Sequence, residues 1–232
     1  MLQPRTYPRL LGQALTLEPA PFVEMADDDN PWIEGLFFAF VLGVLIALAR
    51  LFGGLLLSAS LPPSSAILEA LVAGLKQALP VQQAGIELFV RQLWPWLIPL
   101  FNYGSGWLRL LVLIVTPLAL IVQWLLYAAA SHAAARALGG SGTLSQTLGA
   151  VALSVAPRIF LAATIVPFVA VSALLIHAWG LLIAYRGLQV AHNLPPGKAA
   201  AAALIPFALG ALILAFTIVL GIGLLTLTGG GV

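Results

Sequence analysis

Charge is scarce in this sequence and cysteine is absent. Only 8% of the 232 residues are Asp, Glu, Lys or Arg and 61% are hydrophobic, whereas an ordinary soluble domain carries about 25% charged residues. A chain with a mean hydropathy of +1.06 has too little polar surface to cover itself in water. That excludes a soluble enzyme, a coiled coil, a nucleic-acid-binding domain and a disordered chain. The lack of cysteine excludes disulfides, thiolate metal sites and cysteine nucleophiles, and leaves the redox compartment unread.

Carboxylates run out early. Glu18, Glu24, Asp27, Asp28, Asp29 and Glu34 lie near the start, Glu69 and Glu87 follow, and no acidic side chain comes later. With no Asp after Asp29, a Ser/His/Asp set cannot be assembled inside a membrane. Ion-coupled transport ordinarily uses an intramembrane carboxylate, so a proton-driven pump is disfavoured. The formal charge of +2 is not gathered into any Lys/Arg run that would neutralise a phosphate backbone, so no nucleic-acid partner is expected. Gly53-Gly54 and Gly139-Gly140 lack the lysine and strand-loop-helix context of a phosphate loop. No cofactor and no metal site are expected. His132 and His177 stand about 14 Å apart in helix depth, too far to share a ligand, and His192, beside Asn193, reads as an ordinary interfacial histidine.

What the sequence has is long apolar runs. A membrane crossing takes about 20 apolar residues at about 1.5 Å each, and five segments suffice: 34–59, 106–137, 146–167, 169–191 and 199–227. The third and fourth are separated least clearly; if 147–156 lay on the interface, 159–191 would be one tilted span and the count four. The expected fold is an all-α, polytopic integral membrane helical bundle of about five transmembrane helices with interfacial amphipathic helices. Residues 1–32 form a polar cytoplasmic tail, whose prolines oppose a long helix, and 33–232 the transmembrane domain. The start lacks the apolar run and cleavage site of a signal peptide.

Residues 64–103 differ from the rest. Ile67, Leu68, Leu71, Leu75 and Leu79 share a helical stripe, with Glu69, Lys76 and Gln77 largely elsewhere. Ile86, Phe89, Val90 and Leu93 do the same against Glu87, Arg91 and Gln92. This is the pattern of helices lying in the membrane surface. Trp94, Trp96, Phe101, Tyr103 and Trp107 suit the headgroup level.

Basic residues suggest the orientation. Arg5, Arg9, Arg136, Arg186 and Lys198 fall on one side of five spans, and Lys76, Arg91 and Arg109 on the other. Counting Lys and Arg near span ends puts the N-terminus in the cytoplasm and the C-terminus outside, in the cell (inner) membrane. From the cytoplasmic end, Arg50 lies about 16 residues in, Gln123 about 14, Arg158 about 12 and His177 about 14, within about 6 Å in depth. These four are the candidate mid-membrane polar cluster. They would accept an anion, a lipid headgroup or a partner's carboxylate, unless the arginines snorkel or, at Arg158, are capped by carbonyls freed at Pro157. Asp27, Asp28 and Asp29 form a solvated linker or a partner-docking strip. Ala128–Ala130, Ala133–Ala135 and Ala199–Ala203 let helices approach closely.

From Tyr127 to Leu220 the chain resembles the bacterial branch of the Yip1-domain membrane proteins. The ordered features are His132 in SHAAARALGGSGTLSQTL, with Gly139-Gly140; ALSVAPRIF, with Pro157; HAWGLLIAYRGLQVAHNLPPGKA, with Trp179, Gly187, His192 and Lys198; and an apolar last span. The similar region extends over about 106–228. Leu153 stands where many members carry tyrosine. The resemblance implies five helices and, in eukaryotic members, vesicle trafficking and small-GTPase binding, for which this short tail has no recognisable motif. The expected function is a non-enzymatic scaffold or accessory component organising membrane proteins or lipids, with membrane lipids, other membrane proteins or a second copy as partners. The alternative is a small transporter or permease with an anion-accepting polar cavity at mid-membrane.

Overall fold

The computed structural model describes residues 4–78, 83–100 and 107–229, and the described residues are helical with no strand. In order they form α1 (Tyr7–Leu15), α2 (Ala20–Ala26), α3 (Pro31–Ser60), α4 (Ser64–Ala78), α5 (Gln83–Leu100), α6 (Val112–Ala137), α7 (Leu144–Ala152), a 3-10 segment (Leu153–Ile165), α8 (Ala173–His192) and α9 (Pro196–Gly229). Five stretches are long and apolar enough to cross a membrane: Pro31–Ser60, Arg109–Ala137, Leu144–Ile165, Ala173–His192 and Pro196–Leu220. These match the five expected segments. The four-span alternative fails, because the chain leaves its helical path after Ile165, turns through Phe168 at φ 66°, and restarts at Ala173. Phe101 and Tyr103 of the aromatic group, and Leu79 of the α4 stripe, lie outside the described residues.

The third span changes its winding. α7 is a regular helix started by Thr143, and Leu153–Ile165 continues it as a 3-10 helix around Pro157. Proline lacks the N–H that an α-helix would bond to the fourth residue back, and its ring collides with that carbonyl. Tighter winding is one way for the chain to continue past it.

The chain divides into two compact units. The first comprises Met1–Ala39, Ile121–Pro157 and Leu174–Val232. Here the N-terminal segment is not a free polar tail. Leu10, Ala14, Phe22 and Met25 are fully buried, and α2 packs on α7. The apolar residues recur at helical spacing (Tyr7, Leu10, Ala14), and Pro8 and Pro21 occupy the first turns of α1 and α2, where a missing N–H costs nothing. Proline therefore starts these two short helices rather than preventing them. Gly149 makes the α2–α7 contact possible, since a Cβ there would stand 2.6 Å from the Met25 carbonyl oxygen. Three ring donors tie helices to distant backbone: Trp124 Nε1 to Leu148 O at 3.1 Å, Trp179 Nε1 to Leu15 O at 3.0 Å, and Tyr127 OH to Ala203 O at 3.0 Å.

The second unit comprises Phe40–Leu120 and Arg158–Ala173. α3 approaches α6 at Gly43, where a Cβ would lie 2.6 Å from Pro117 Cα. α3 meets the 3-10 segment at Gly53, where a Cβ would lie 2.1 Å from Thr164 O. Neither contact leaves room for any side chain. Arg109 donates to Ser58 Oγ at 2.6 Å, joining the start of one span to the end of another. The remaining part is a hairpin of α4 and α5.

Candidate functional site

The most concentrated polar arrangement lies in the first unit, where α6 ends, α7 begins and α8 ends. Gly139, at φ 94°, terminates α6 in the left-handed conformation that glycine adopts without penalty. Thr143 then opens α7 through a capping box: its Oγ1 accepts from Gln146 N–H at 3.3 Å, and Gln146 Oε1 accepts from Thr143 N–H at 2.9 Å. One turn later Thr147 is fully buried and sits between two imidazoles. His132 Nδ1 and His192 Nε2 each lie 2.8 Å from its Oγ1, and the two ring centroids are 5.1 Å apart.

Proton counting assigns the directions. Thr147 Oγ1 also lies 2.9 Å from Thr143 O, which only accepts. A hydroxyl has one proton and two lone pairs. All three contacts are satisfied when Thr147 donates to Thr143 O and both histidines donate to Thr147. His132 then carries its proton on Nδ1 and His192 on Nε2. This polarity has a chemical consequence. A nucleophilic hydroxyl must give its proton to a neighbouring base, whereas here both rings act as donors. The arrangement is a cross-link between three helices.

The loop 138–143 closes around the same point. His192 O accepts from Ser141 N–H at 3.2 Å, and Arg136 donates to Gly140 O at 3.0 Å. A Cβ on Gly140 would stand 2.7 Å from His192 Nδ1, and one on Gly142 2.1 Å from Ala191 O. His192 is 1% exposed, which overturns its reading as an ordinary interfacial histidine. A depth count from span ends would have found this group, because His132, Thr147 and His192 all lie near the ends of spans two, three and four on one side. Among the described residues no group of three or more His, Cys, Asp or Glu is placed to hold a metal ion.

Of the mid-membrane candidates, Arg50 and Arg158 both belong to the second unit. Arg50 is exposed on α3 and Arg158 half-buried in the 3-10 segment. Gln123 and His177 are exposed in the first unit. Asp27, Asp28 and Asp29 form the turn between α2 and α3. Asp28 Oδ1 accepts from Asn30 N–H at 2.9 Å, and Asp27 and Asp29 are exposed.

Near that turn, Tyr7 OH donates to the buried Glu34 carboxyl group in the first turn of α3. Burial, with the Glu34 hydrogen bond and charge, pushes the Tyr7 phenol well above its ordinary range. Arg9 forms a forked pair with Glu24, both contacts at 2.8 Å, joining α1 to α2. The N-terminal segment is thus fixed both to the bundle and to itself.

A family model for the Yip1 domain matches residues 13–218. The chain belongs to the Yip1-domain family. The match begins near the end of α1 and takes in α2, α3 and most of the 106–228 region, so the His132–Thr147–His192 cross-link lies inside the Yip1 domain. No curated protein and no solved structure matches the chain.

Proposed function

We propose that this Yip1-domain protein is a non-enzymatic scaffold or accessory component of the cell (inner) membrane. It would hold other membrane proteins, or a second copy of itself, in lipid, with its N-terminus in the cytoplasm. The observation that carries this reading is the folded N-terminal segment. A tail needed only as a linker gains nothing from burying Leu10, Phe22 and Met25. Once fixed, it presents the exposed Asp27 and Asp29 on a rigid mount, and a pre-ordered surface pays less entropy on binding. The side assignment rests on the distribution of basic residues.

The second reading is a permease in which Arg50 and Arg158, both of the second unit, accept an anion inside the span region. One pair of measurements separates them. Under the first reading, the full chain in mild detergent retains a defined membrane protein at constant stoichiometry. The double variant Asp27→Asn/Asp29→Asn loses it, and proteoliposomes show no anion flux. Anion flux that Arg158→Leu abolishes, with no retained protein, would replace the first reading by the second.

A further inference from the structure

In the α4–α5 hairpin the charged side chains bridge the two helices. Arg91 bonds Glu69 at 2.7 Å and Glu87 at 3.1 Å, and Lys76 bonds Glu87 at 2.7 Å. Two cations and two carboxylates close on one another, so the hairpin carries no net charge from these groups. On α5, Phe89 and Trp96 are two turns apart, on the side opposite Glu87 and Arg91. They are 61% and 69% exposed, and Leu88 beside them 59%. On α4, Ala66, Ala70, Ala73 and Gln77 form one exposed stripe, small or polar throughout, while Leu71 is exposed on another side of the helix.

Position along the chain limits what can cover the aromatic face. α4 starts a few residues after Ser60, where the first candidate span ends, and α5 stops a few residues before Arg109, where the second begins. Both ends of the hairpin are therefore held at the same face of the membrane. Aromatic side chains held at that level match the boundary between headgroups and acyl chains, and an internally neutralised set of charges removes a main obstacle to lying there. We propose that this hairpin is a lipid-binding element lying in the membrane interface. α5 is its deeper helix, with Leu88, Phe89 and Trp96 among the upper acyl carbons, and the Ala66–Gln77 stripe of α4 faces water. The proposal is independent of the scaffold and permease readings.

The absence of native cysteine makes the test direct. Single variants F89C, W96C, A70C and Q77C of the full chain, all at exposed positions, take a nitroxide label. They are then reconstituted in phosphatidylcholine/phosphatidylglycerol vesicles. The expected result is that labels at 89 and 96 collide readily with oxygen and little with a water-soluble nickel chelate, and that labels at 70 and 77 do the reverse. Equal nickel access at all four positions would place the hairpin in water and overturn the proposal. Protection of 89 and 96 from both reagents, with spin–spin broadening, would overturn it in favour of a second copy. As a check not dependent on labelling, brominated phosphatidylcholine should quench less of the total tryptophan emission in Trp96→Phe than in the unmodified chain. An unchanged quenched fraction would also overturn the proposal.

Discussion

Thr147 concentrates much of the structure's polar bonding in a single atom. Its fully buried hydroxyl is donor to one partner and acceptor from two, the buried His192 and the half-buried His132. Thr147→Val keeps the shape and leaves two imidazole N–H groups without their partner, while Thr143 O keeps the Thr147 backbone N–H at 3.0 Å. Each buried group left unsatisfied costs about 1–3 kcal/mol, so the variant should lose at least about 2 kcal/mol in denaturant unfolding followed by tryptophan fluorescence, while Thr147→Ser should keep most of the stability. Glycines give a sharper contrast. Gly142→Ala would place a methyl 2.1 Å from Ala191 O, whereas Gly12→Ala meets nothing within 4 Å in the helical α1. The first should lower the melting temperature by several degrees. The second should raise stability by about 0.5–1 kcal/mol, the usual helical gain of alanine over glycine. Tyr7 adds an alkaline limit. Its folded phenol titrates above the ordinary value of 10.0, so its contribution is complete below that pH and is lost as pH rises through the folded value. Tyr7→Phe should flatten stability measured across that alkaline range.

At the scale of elements, the hairpin makes a prediction in the acid direction. The Arg91 hydrogen bond holds the Glu69 carboxyl below its ordinary value of 4.5, and Lys76 first and Arg91 second do the same for Glu87. Carboxylates with lowered folded values stabilise the pairing above 4.5, and this contribution is lost as pH falls through the lowered values. Nitroxide mobility at position 70 should therefore stay constant from neutral pH down to 4.5 and rise only below it. Arg91→Met should shift that rise to higher pH. The elements differed in how far they could be read from sequence. The long spans were legible because length and hydropathy alone decide them. α1 and α2 were not, because nine and seven residues make too short a pattern to stand out, and their prolines resemble breakers until the first turn is located. The α4–α5 charges were seen as residues but not as pairs, since Glu69 and Arg91 are 22 positions apart and only the packing of α4 on α5 brings them together.

For the whole molecule, an odd number of crossings puts the two ends of the chain on opposite sides. Two-reporter fusions, one preceding Met1 and one following Val232, should report opposite compartments. Agreement between them would remove one crossing from the fold. Depth counting along the spans proposed Arg50, Gln123, Arg158 and His177 as one cluster; Arg50 and Arg158 belong to the second unit and Gln123 and His177 to the first. Depth is one coordinate, and which way each side chain points around its helix is fixed by packing that no single sequence displays. The histidine cross-link was missed because the count looked at mid-membrane depth, whereas His132, Thr147 and His192 come from three elements near span ends and each alone is unremarkable.

The winding of the third crossing has a mechanical consequence. A 3-10 helix advances about 2.0 Å per residue against about 1.5 Å for an α-helix. The 13 residues from Leu153 to Ile165 therefore reach about 6 Å further than the same residues would as an α-helix. Pro157, which bars the wider coil, thus lets a short run of residues cover more of the lipid's depth than its count alone would allow.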